Sequence, residues 1–543
     1  MLRIASGSVY DPANGVAGEI RDVCLSDGKV VEDVPPHAPR IDARGMVVMP
    51  GGVDIHAHIA GPKVNAARRL APEEHRRDVV DRSAVMRSGT GGTVPSTFVT
   101  GYRYALLGYT TVVEAATPPL AARHVLAELR DTPIIDAAFL LLMGNNLALF
   151  DLVRRDPARL RDAIAWWLEG AGGYGVKLVN PGGVELWKRA NGNVTSLDDE
   201  VAGVTPRRVI DAIAGAVHGL GLPHPVHVHC NNLGVAGNWR TTLETLHTLE
   251  GRRAHLAHVQ FHAYGGRPGG RPRSRAPALA EYLGAHPELS ADVGQVMFGP
   301  ATTMTADAPV SALLRDVTGG KWVNADTEVE TGCGIVPFTY GEKNYVHALQ
   351  WGIGLELFLL SRDPWRLVLS TDHPNGGSFL SYPRLIRLLM DRDFRNEQLR
   401  RANRRAIRST VLLDDLEREY TLEEIAIVTR AGPARLLGLR DKGHLGPGAD
   451  ADVTIYDERA DREEMFAVPR HVIKGGRAVV RDGELIAAPA GDLLRVTAPY
   501  DPAVEDVLRA QFEERYSVQF ENYPVREPWL LEPARRIAAG RPA

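Results

Sequence analysis

The sequence predicts an α/β protein: a (β/α)8 barrel carrying a small β-sandwich domain built from both ends of the chain. Between residues 51 and 429, short apolar runs alternate with amphipathic segments, the pattern of strands joined by helical crossovers. There are eight such runs, the number that closes a parallel sheet on itself. Residues 1–50 and 430–490 share another texture, in which short apolar stretches are broken by Gly, Pro and Asp, as in antiparallel strands and turns.

The N-terminal stretch carries Ile20, Val23 and Leu25, then Gly28-Lys29-Val30-Val31, a strand followed by a turn and a second strand. Barrel strands are expected at 47–58, 109–115, 133–143, 174–180, 225–230, 253–261, 289–298 and 366–372. Helices are expected at 120–131, 157–170, 206–220, 238–250 and 276–286, with Thr205-Pro206 and Ser274 as start signals for two of them. From the first expected strand to the last the barrel spans about 320 residues, more than the ~250 of a plain barrel, so insertions are placed at 60–105 and 300–364. The tracts ADADVTIYD (449–457) and HVIKGGRAVVRDG (471–483) return to the end domain. Residues 491–543, Pro- and Arg-rich with Tyr516, Phe520, Tyr523 and Trp529, read as an extended C-terminal arm.

Composition excludes several function classes. The 543 residues carry 63 basic and 67 acidic side chains, a net charge of −4, so no global basic field exists to hold nucleic acid. The three cysteines, Cys24, Cys230 and Cys333, are too far apart for a disulfide scaffold, a CxxC zinc ribbon or a four-Cys cluster, and a reducing cytoplasm is expected. The N-terminus has no apolar leader and no run of 18 uncharged apolar residues occurs, which predicts neither secretion nor a membrane span.

The strongest local signal is Val53-Asp54-Ile55-His56-Ala57-His58, at the end of the first expected barrel strand. Side chains alternate along a strand, so His56 and His58 face the same way, into the barrel mouth. His227 and His229 in PVHVHCNN, His255 and His258 in RAHLAHVQFH, and Asp372 in LVLSTDHPNGG lie near the ends of three further strands. Imidazole and carboxylate sets of this kind suit zinc better than magnesium or calcium. His227 and His255 read as buried, hydrogen-bonded core residues, whereas His229 and His258 lie nearer the strand ends. Lys177, one of only eight lysines against 55 arginines, sits in the apolar strand YGVKLVN. A bare ammonium is costly to bury there and cannot bind a cation. Three readings stay open for it: a neutral amine, a carbamate formed with CO2 that would bridge two ions, or a side chain snorkelling from the strand end. The Gly-rich Ser88–Gly92 lacks the GK[ST] of a phosphate loop and reads as plain loop; the basic loop 265–275 reads as solvated, or as an attractor for an anionic substrate tail.

With an HxH, a strand lysine, two single histidines and a late aspartate in this order, the chain resembles the amidohydrolase superfamily of metal-dependent hydrolases. GHLGPGADADVTIYD is similar to that family's small β-domain signature. MPGGVDIHAHIAGPKVN (49–65), FVTGYRYALLGYTTVVEAATPPL (98–120), LMGNN (142–146), HCNNLGVAGNW (229–239), HVQFHAYGG (258–266) and TDHPNGGSF (371–379) resemble one branch of it. That branch comprises the A-subunits of formyltransferase/hydrolase complexes and of formylmethanofuran dehydrogenases. The Arg-rich composition favours the former.

The resemblance implies that His56, His58, a carboxylated Lys177, His229, His258 and Asp372 bind one or two zinc ions, with Asp372 also acting as proton shuttle. It implies hydrolysis of an N-formyl amine, carried on a methanofuran-like cofactor, to formate and free amine. Other subunits of such a complex are the implied partners. Asn231, His262 and Arg267 complete the expected site as substrate contacts. Two alternatives use the same metal set: condensation of formate with the amine, and hydrolysis of a cyclic amide as in hydantoinases and dihydroorotases.

Overall fold

The computed structural model describes residues 1–190, 192–325, 328–330, 333–412, 416–529 and 534–540. Eight strands pair in sequence order, each parallel to the next: β1 (Gly52–Ala57), β2 (Tyr109–Thr117), β3 (Asp136–Leu142), β4 (Gly175–Val179), β5 (Val226–His229), β6 (Ala254–Leu256), β7 (Leu289–Asp292) and β8 (Leu367–Val368). A parallel bridge between Ala57 and His373 closes the ring, and the His58 N–H donates to the His373 carbonyl across it at 2.7 Å. The same contact therefore closes the barrel and brings the HxH segment beside Asp372. All strand residues are buried, because helices cover the outside and side chains fill the inside; this is why the strands read as apolar runs.

Helices at 122–131, 160–171, 206–220, 239–249 and 276–285 occupy the expected crossovers. Thr205 caps its helix by accepting from the Arg208 N–H, with Pro206 in the first turn, where no N–H is needed. The expected strand 47–58 is two strands. Met46–Pro50 belongs to the end sheet, and the chain then crosses into β1. A Cβ on Gly51 would stand 2.2 Å from Thr110 Oγ1, and one on Gly52 2.7 Å from the Tyr109 ring, so only glycine permits that crossing.

Strands from both chain ends join in one nine-stranded mixed sheet through antiparallel pairing of Met46–Pro50 with Val453–Asp457. The sheet turns back on itself, so that the Val30 N–H donates to the Ala449 carbonyl, and it encloses a core of Ile4, Val9, Val48, Val453 and Ile455.

Between β1 and β2 lie helices Pro62–Leu70 and Thr97–Leu106 and a short hairpin pairing 79–80 with 89–90. The Gly-rich stretch is pinned there: the Gly92 N–H donates to Asp78 at 2.9 Å and the Thr93 N–H to Glu74 at 2.7 Å. Between β7 and β8, antiparallel strands Gly299–Thr305, Val323–Ala325 and Cys333–Tyr340 carry helix Ala308–Thr318 at the barrel mouth, and helix Tyr345–Leu360 then packs against helix 276–285 on the way to β8.

The C-terminal arm differs from the extended form expected. Val504–Arg515 is a helix, and Leu494–Thr497 pairs in parallel with Arg535–Ala538. Its aromatic residues are spent on this chain's own barrel: Phe520 stacks on Trp166 at 4.8 Å between ring centroids, and Phe512 on Trp167 at 5.2 Å. Each such buried ring contributes about 2–3 kcal/mol, which fastens the arm to helix 160–171. Among the described residues, no helix is long and apolar enough to cross a membrane.

Candidate metal centre

His56 is the penultimate residue of β1 and His58 follows the strand's end, and both rings lie at the C-terminal mouth, as strand alternation requires. Each ring is oriented from behind by a buried carboxylate. His56 Nδ1 lies 2.9 Å from Asp292 Oδ2, and His58 Nδ1 3.2 Å from Glu114 Oε1. A carboxylate can only accept, so each imidazole carries a proton on Nδ1 and turns its Nε2 toward the barrel mouth. Those two Nε2 atoms converge on a single oxygen, Asp372 Oδ1, at 3.1 Å from each.

Glu114 and Asp292 are ionised despite complete burial. Burial pushes the Glu114 carboxyl up, but the Lys63 ammonium and His58 outweigh it and hold it at about 2. Burial likewise works against Asp292, and His56, His227 and His255 hold it well below the usual carboxylate range. Behind His56 a chain of imidazoles continues inward. His227 Nε2 lies 3.3 Å from His56 Nδ1, His224 Nε2 3.1 Å from His227 Nδ1, and His224 Nδ1 2.9 Å from the Leu436 carbonyl. His255 is held between Ser290 Oγ at 2.9 Å and Asp292 Oδ2 at 3.3 Å. His227 and His255 are thus the hydrogen-bonded core residues expected from the sequence.

Asp292 also reaches the other half of the centre. Its Oδ1 accepts from the His258 N–H at 3.0 Å, and His258 stands at φ 34°, in the sparsely populated left-handed region. Asp372 is similarly constrained at φ 48°, with its N–H donating to Ser370 Oγ at 2.7 Å. Gly294 leaves room for the His258 backbone: a Cβ there would stand 2.2 Å from His258 Cβ.

Lys177, on β4, is 1 % exposed, and its Nζ lies 3.4 Å from His56 Nε2. Burial pushes its ammonium down to about 7. On the far side, His229, His258 and His262 bring one ring nitrogen each to within 4.8 Å of one another. His229 Nε2, His258 Nδ1 and both nitrogens of His262 are buried without a hydrogen-bond partner. Buried polar atoms are rarely left unpaired. Converging orphaned lone pairs, a carboxylate and fixed tautomers together form a donor set that fits a divalent cation such as zinc.

These groups floor a cavity of about 220 Å³. Its polar lining is confined to His56, His58, Lys63, Lys177, His229, His258, Asp372 and a few neutral groups, while Leu233, Phe261, Met304, Leu314 and Phe338 make apolar walls. Of the three expected substrate contacts, His262 is part of the imidazole cluster. Asn231 lies buried behind the cavity lining, its Nδ2 donating to Asn180 Oδ1 at 2.8 Å and the Pro181 carbonyl at 2.9 Å. Arg267 sits exposed near the tip of the hairpin that pairs 264–265 with 273–274, away from the cavity lining.

Asp292, Glu114 and Lys63 do not emerge from the sequence analysis. A carboxylate inside an all-buried strand is itself a signal, because its charge demands partners, and both Asp292 and Glu114 stand in such strands. Replacing Asp292 by Asn removes the charge behind His56 and weakens the hold on the His258 backbone. Metal affinity, measured by competition with a chromogenic chelator, is expected to fall about 10–100-fold. Unchanged affinity would contradict the orienting role.

A family model described as the amidohydrolase family matches residues 40–484. The chain is 44% identical to Protein FwdA of Methanocaldococcus jannaschii, over 97% of each. It is 41% identical to the A-subunit of the formyltransferase/hydrolase complex Fhc of Methylorubrum extorquens, over 97% of this chain and 96% of that protein. The solved structure of the formyltransferase/hydrolase complex FhcABCD from Methylorubrum extorquens, in complex with methylofuran, contains a chain that matches with a TM-score of 0.93 and 39% identity, covering 99% of this chain and 100% of that one.

Proposed function

The chain belongs to the amidohydrolase family, and from that premise we propose that it hydrolyses an N-formyl amine on a methanofuran-type carrier to formate and free amine, as the hydrolase subunit of a formyltransferase/hydrolase complex. The observation that carries this reading is the convergence of His56 and His58 on Asp372, beside Lys177 and two more imidazoles, at the floor of an apolar-walled cavity. The near full-length likeness to the Fhc protein of Methylorubrum extorquens supports the choice of substrate and partners.

His56, His58, Lys177 as its carbamate, His229, His258 and Asp372 are the residues that would hold one or two zinc ions. Bound there, zinc supplies Lewis acidity, lowering the pKa of water towards ~7 and polarising an amide carbonyl. Asp372 has the proton work. Its carboxylate accepts the proton of the water that attacks the formyl carbon, then returns it to the amine nitrogen as the C–N bond breaks. Asn375 Nδ2, donating to Asp372 Oδ1 at 2.9 Å, keeps the carboxylate aimed for both transfers. The apolar walls exclude bulk water and strengthen every charge interaction on the floor. Formate and an amine leave. The likeness to FwdA favours one second reading, in which the same groups run the reverse condensation.

The test is release of formate from formyl-methylofuran and from simpler N-formyl amines by the chain purified with its partner subunits, alongside ring opening of hydantoin and dihydroorotate. Formate release without ring opening is expected. Ring opening with no formate from any N-formyl amine would falsify the proposal.

A further inference from the structure

We propose that His262 is a metal ligand, and that the second ion position of this centre is a three-imidazole site made by His229, His258 and His262. The inference rests on the metal-dependent reading above and extends its ligand set.

His258 and His262 bracket a single 3-10 turn, Val259–His262. In HVQFH they stand four residues apart, and the left-handed His258 backbone together with the tight turn brings their rings side by side. Their rings stack at 5.3 Å between centroids with 29° between planes, and His229 presents its edge to both, at 4.6 Å from His258 and 5.2 Å from His262.

His262 is completely buried, and neither ring nitrogen has a hydrogen-bond partner. A core imidazole normally satisfies at least its N–H, and each buried polar atom left unpaired costs about 1–3 kcal/mol. His229 Nε2 and His258 Nδ1 share the defect, and the three rings bring one nitrogen each to within 4.8 Å of one another. Hydrogen bonds among three neutral imidazoles cannot satisfy three converging lone pairs; one cation can. The required movement is small. Zn–N bonds of about 2.05 Å give a tetrahedral edge of about 3.4 Å, so a 4.8 Å separation closes if each ring moves about 0.7 Å.

A second orphan points the same way. Asp307, which precedes helix Ala308–Thr318 of the insertion, is buried, and its unpartnered Oδ2 lies 3.9 Å from His229 Nε2. Burial pushes the Asp307 carboxyl up to about 7, and a cation beside it would favour its charged form. The insertion thereby brings a carboxyl group beside the three rings, opposite Asp372, whose Oδ2 lies 4.0 Å from His258 Nε2.

The test is metal content by plasma mass spectrometry, on the complex purified without chelator, for the wild type, His262→Ala and His262→Gln, together with the visible spectrum of each after cobalt substitution. About two ions per chain in the wild type and about one in each variant are expected, with loss of the cobalt bands belonging to the second position. His262→Gln keeps side-chain volume and hydrogen bonding, so it decides the matter if His262→Ala does not fold. Full metal content and an unchanged cobalt spectrum in His262→Gln, with only KM raised, overturn the proposal in favour of a substrate contact and leave the metal-dependent reading standing. A wild type that retains no ion overturns both.

Discussion

Replacing Asp372 with asparagine is expected to lower turnover by about a thousandfold, the span that positioned acid–base catalysis supplies, while bound metal stays near the wild-type amount. The two effects separate because the carboxylate has two jobs. Its Oδ1 is the point on which His56 Nε2 and His58 Nε2 converge, at 3.1 Å each, and the amide oxygen of asparagine can still occupy that point. A neutral amide cannot accept a proton from water or return one to an amine nitrogen. The surroundings favour the charged carboxylate: burial opposes it, yet His56 and His258 hold it well below the usual carboxylate range. Turnover and metal content measured on one preparation check the expectation. A variant that keeps more than a tenth of its activity would move the proton transfer elsewhere. Loss of all metal would show that the negative charge, rather than the oxygen position, retains the ions.

What the sequence makes legible here follows from which interactions are local. The eight barrel strands are visible because each is buried on both faces and so reads as a short apolar run. His56 and His58 declare themselves because strand alternation alone aligns them. Partners joined only by closure of the barrel stay hidden. Asp292 lies 236 residues from His56, and Glu114 lies 56 residues from His58, so their hydrogen bonds exist only after β7 and β2 have taken their places. The break in the first expected strand is hidden for a related reason. Met46–Pro50 runs into β1 with no charged residue before Asp54, and it is the approach of Thr110 and Tyr109 to Gly51 and Gly52 that separates them. Phe520 and Tyr523 look like a docking arm in one dimension because the surface they cover, Trp166 and Trp167, lies more than 300 residues earlier. Asn231 and Arg267 show the opposite limit. Nearness in sequence to His229 and His262 does not bring either side chain to the cavity lining, since one turns inward to Asn180 and the other stands on a hairpin.

Replacing Lys177 with alanine is expected to remove at least one ion per chain and to lower turnover at least a hundredfold, a loss of the size that follows when ligands or the groups orienting them are removed from metal sites. Lys177 cannot serve as a ligand while protonated, because an ammonium has no lone pair. Complete burial changes that. Its pKa is pushed from the ordinary 10.5 to about 7, so at pH 7 about half of the side chain is neutral amine instead of about one part in three thousand. That amine is the form that adds CO2, releasing one proton and leaving a carbamate whose two oxygens can bind metal. The Nζ lies 3.4 Å from His56 Nε2, so a carbamate grown from it enters the donor set of His56, His58 and Asp372. The sign of the pH effect follows. Below about 7 the amine protonates and the carbamate is lost, so zinc reloading of the apoprotein should be complete at pH 8 with bicarbonate and should fail at pH 6 or in CO2-free buffer. In Lys177→Ala, reloading should become indifferent to bicarbonate and recover when a short carboxylic acid fills the space. The ion retained should be the one held by imidazoles alone, which His262→Gln in the same background would then remove. Full zinc content and full activity in Lys177→Ala would exclude the lysine from the ligand set and return it to the role of a buried neutral amine.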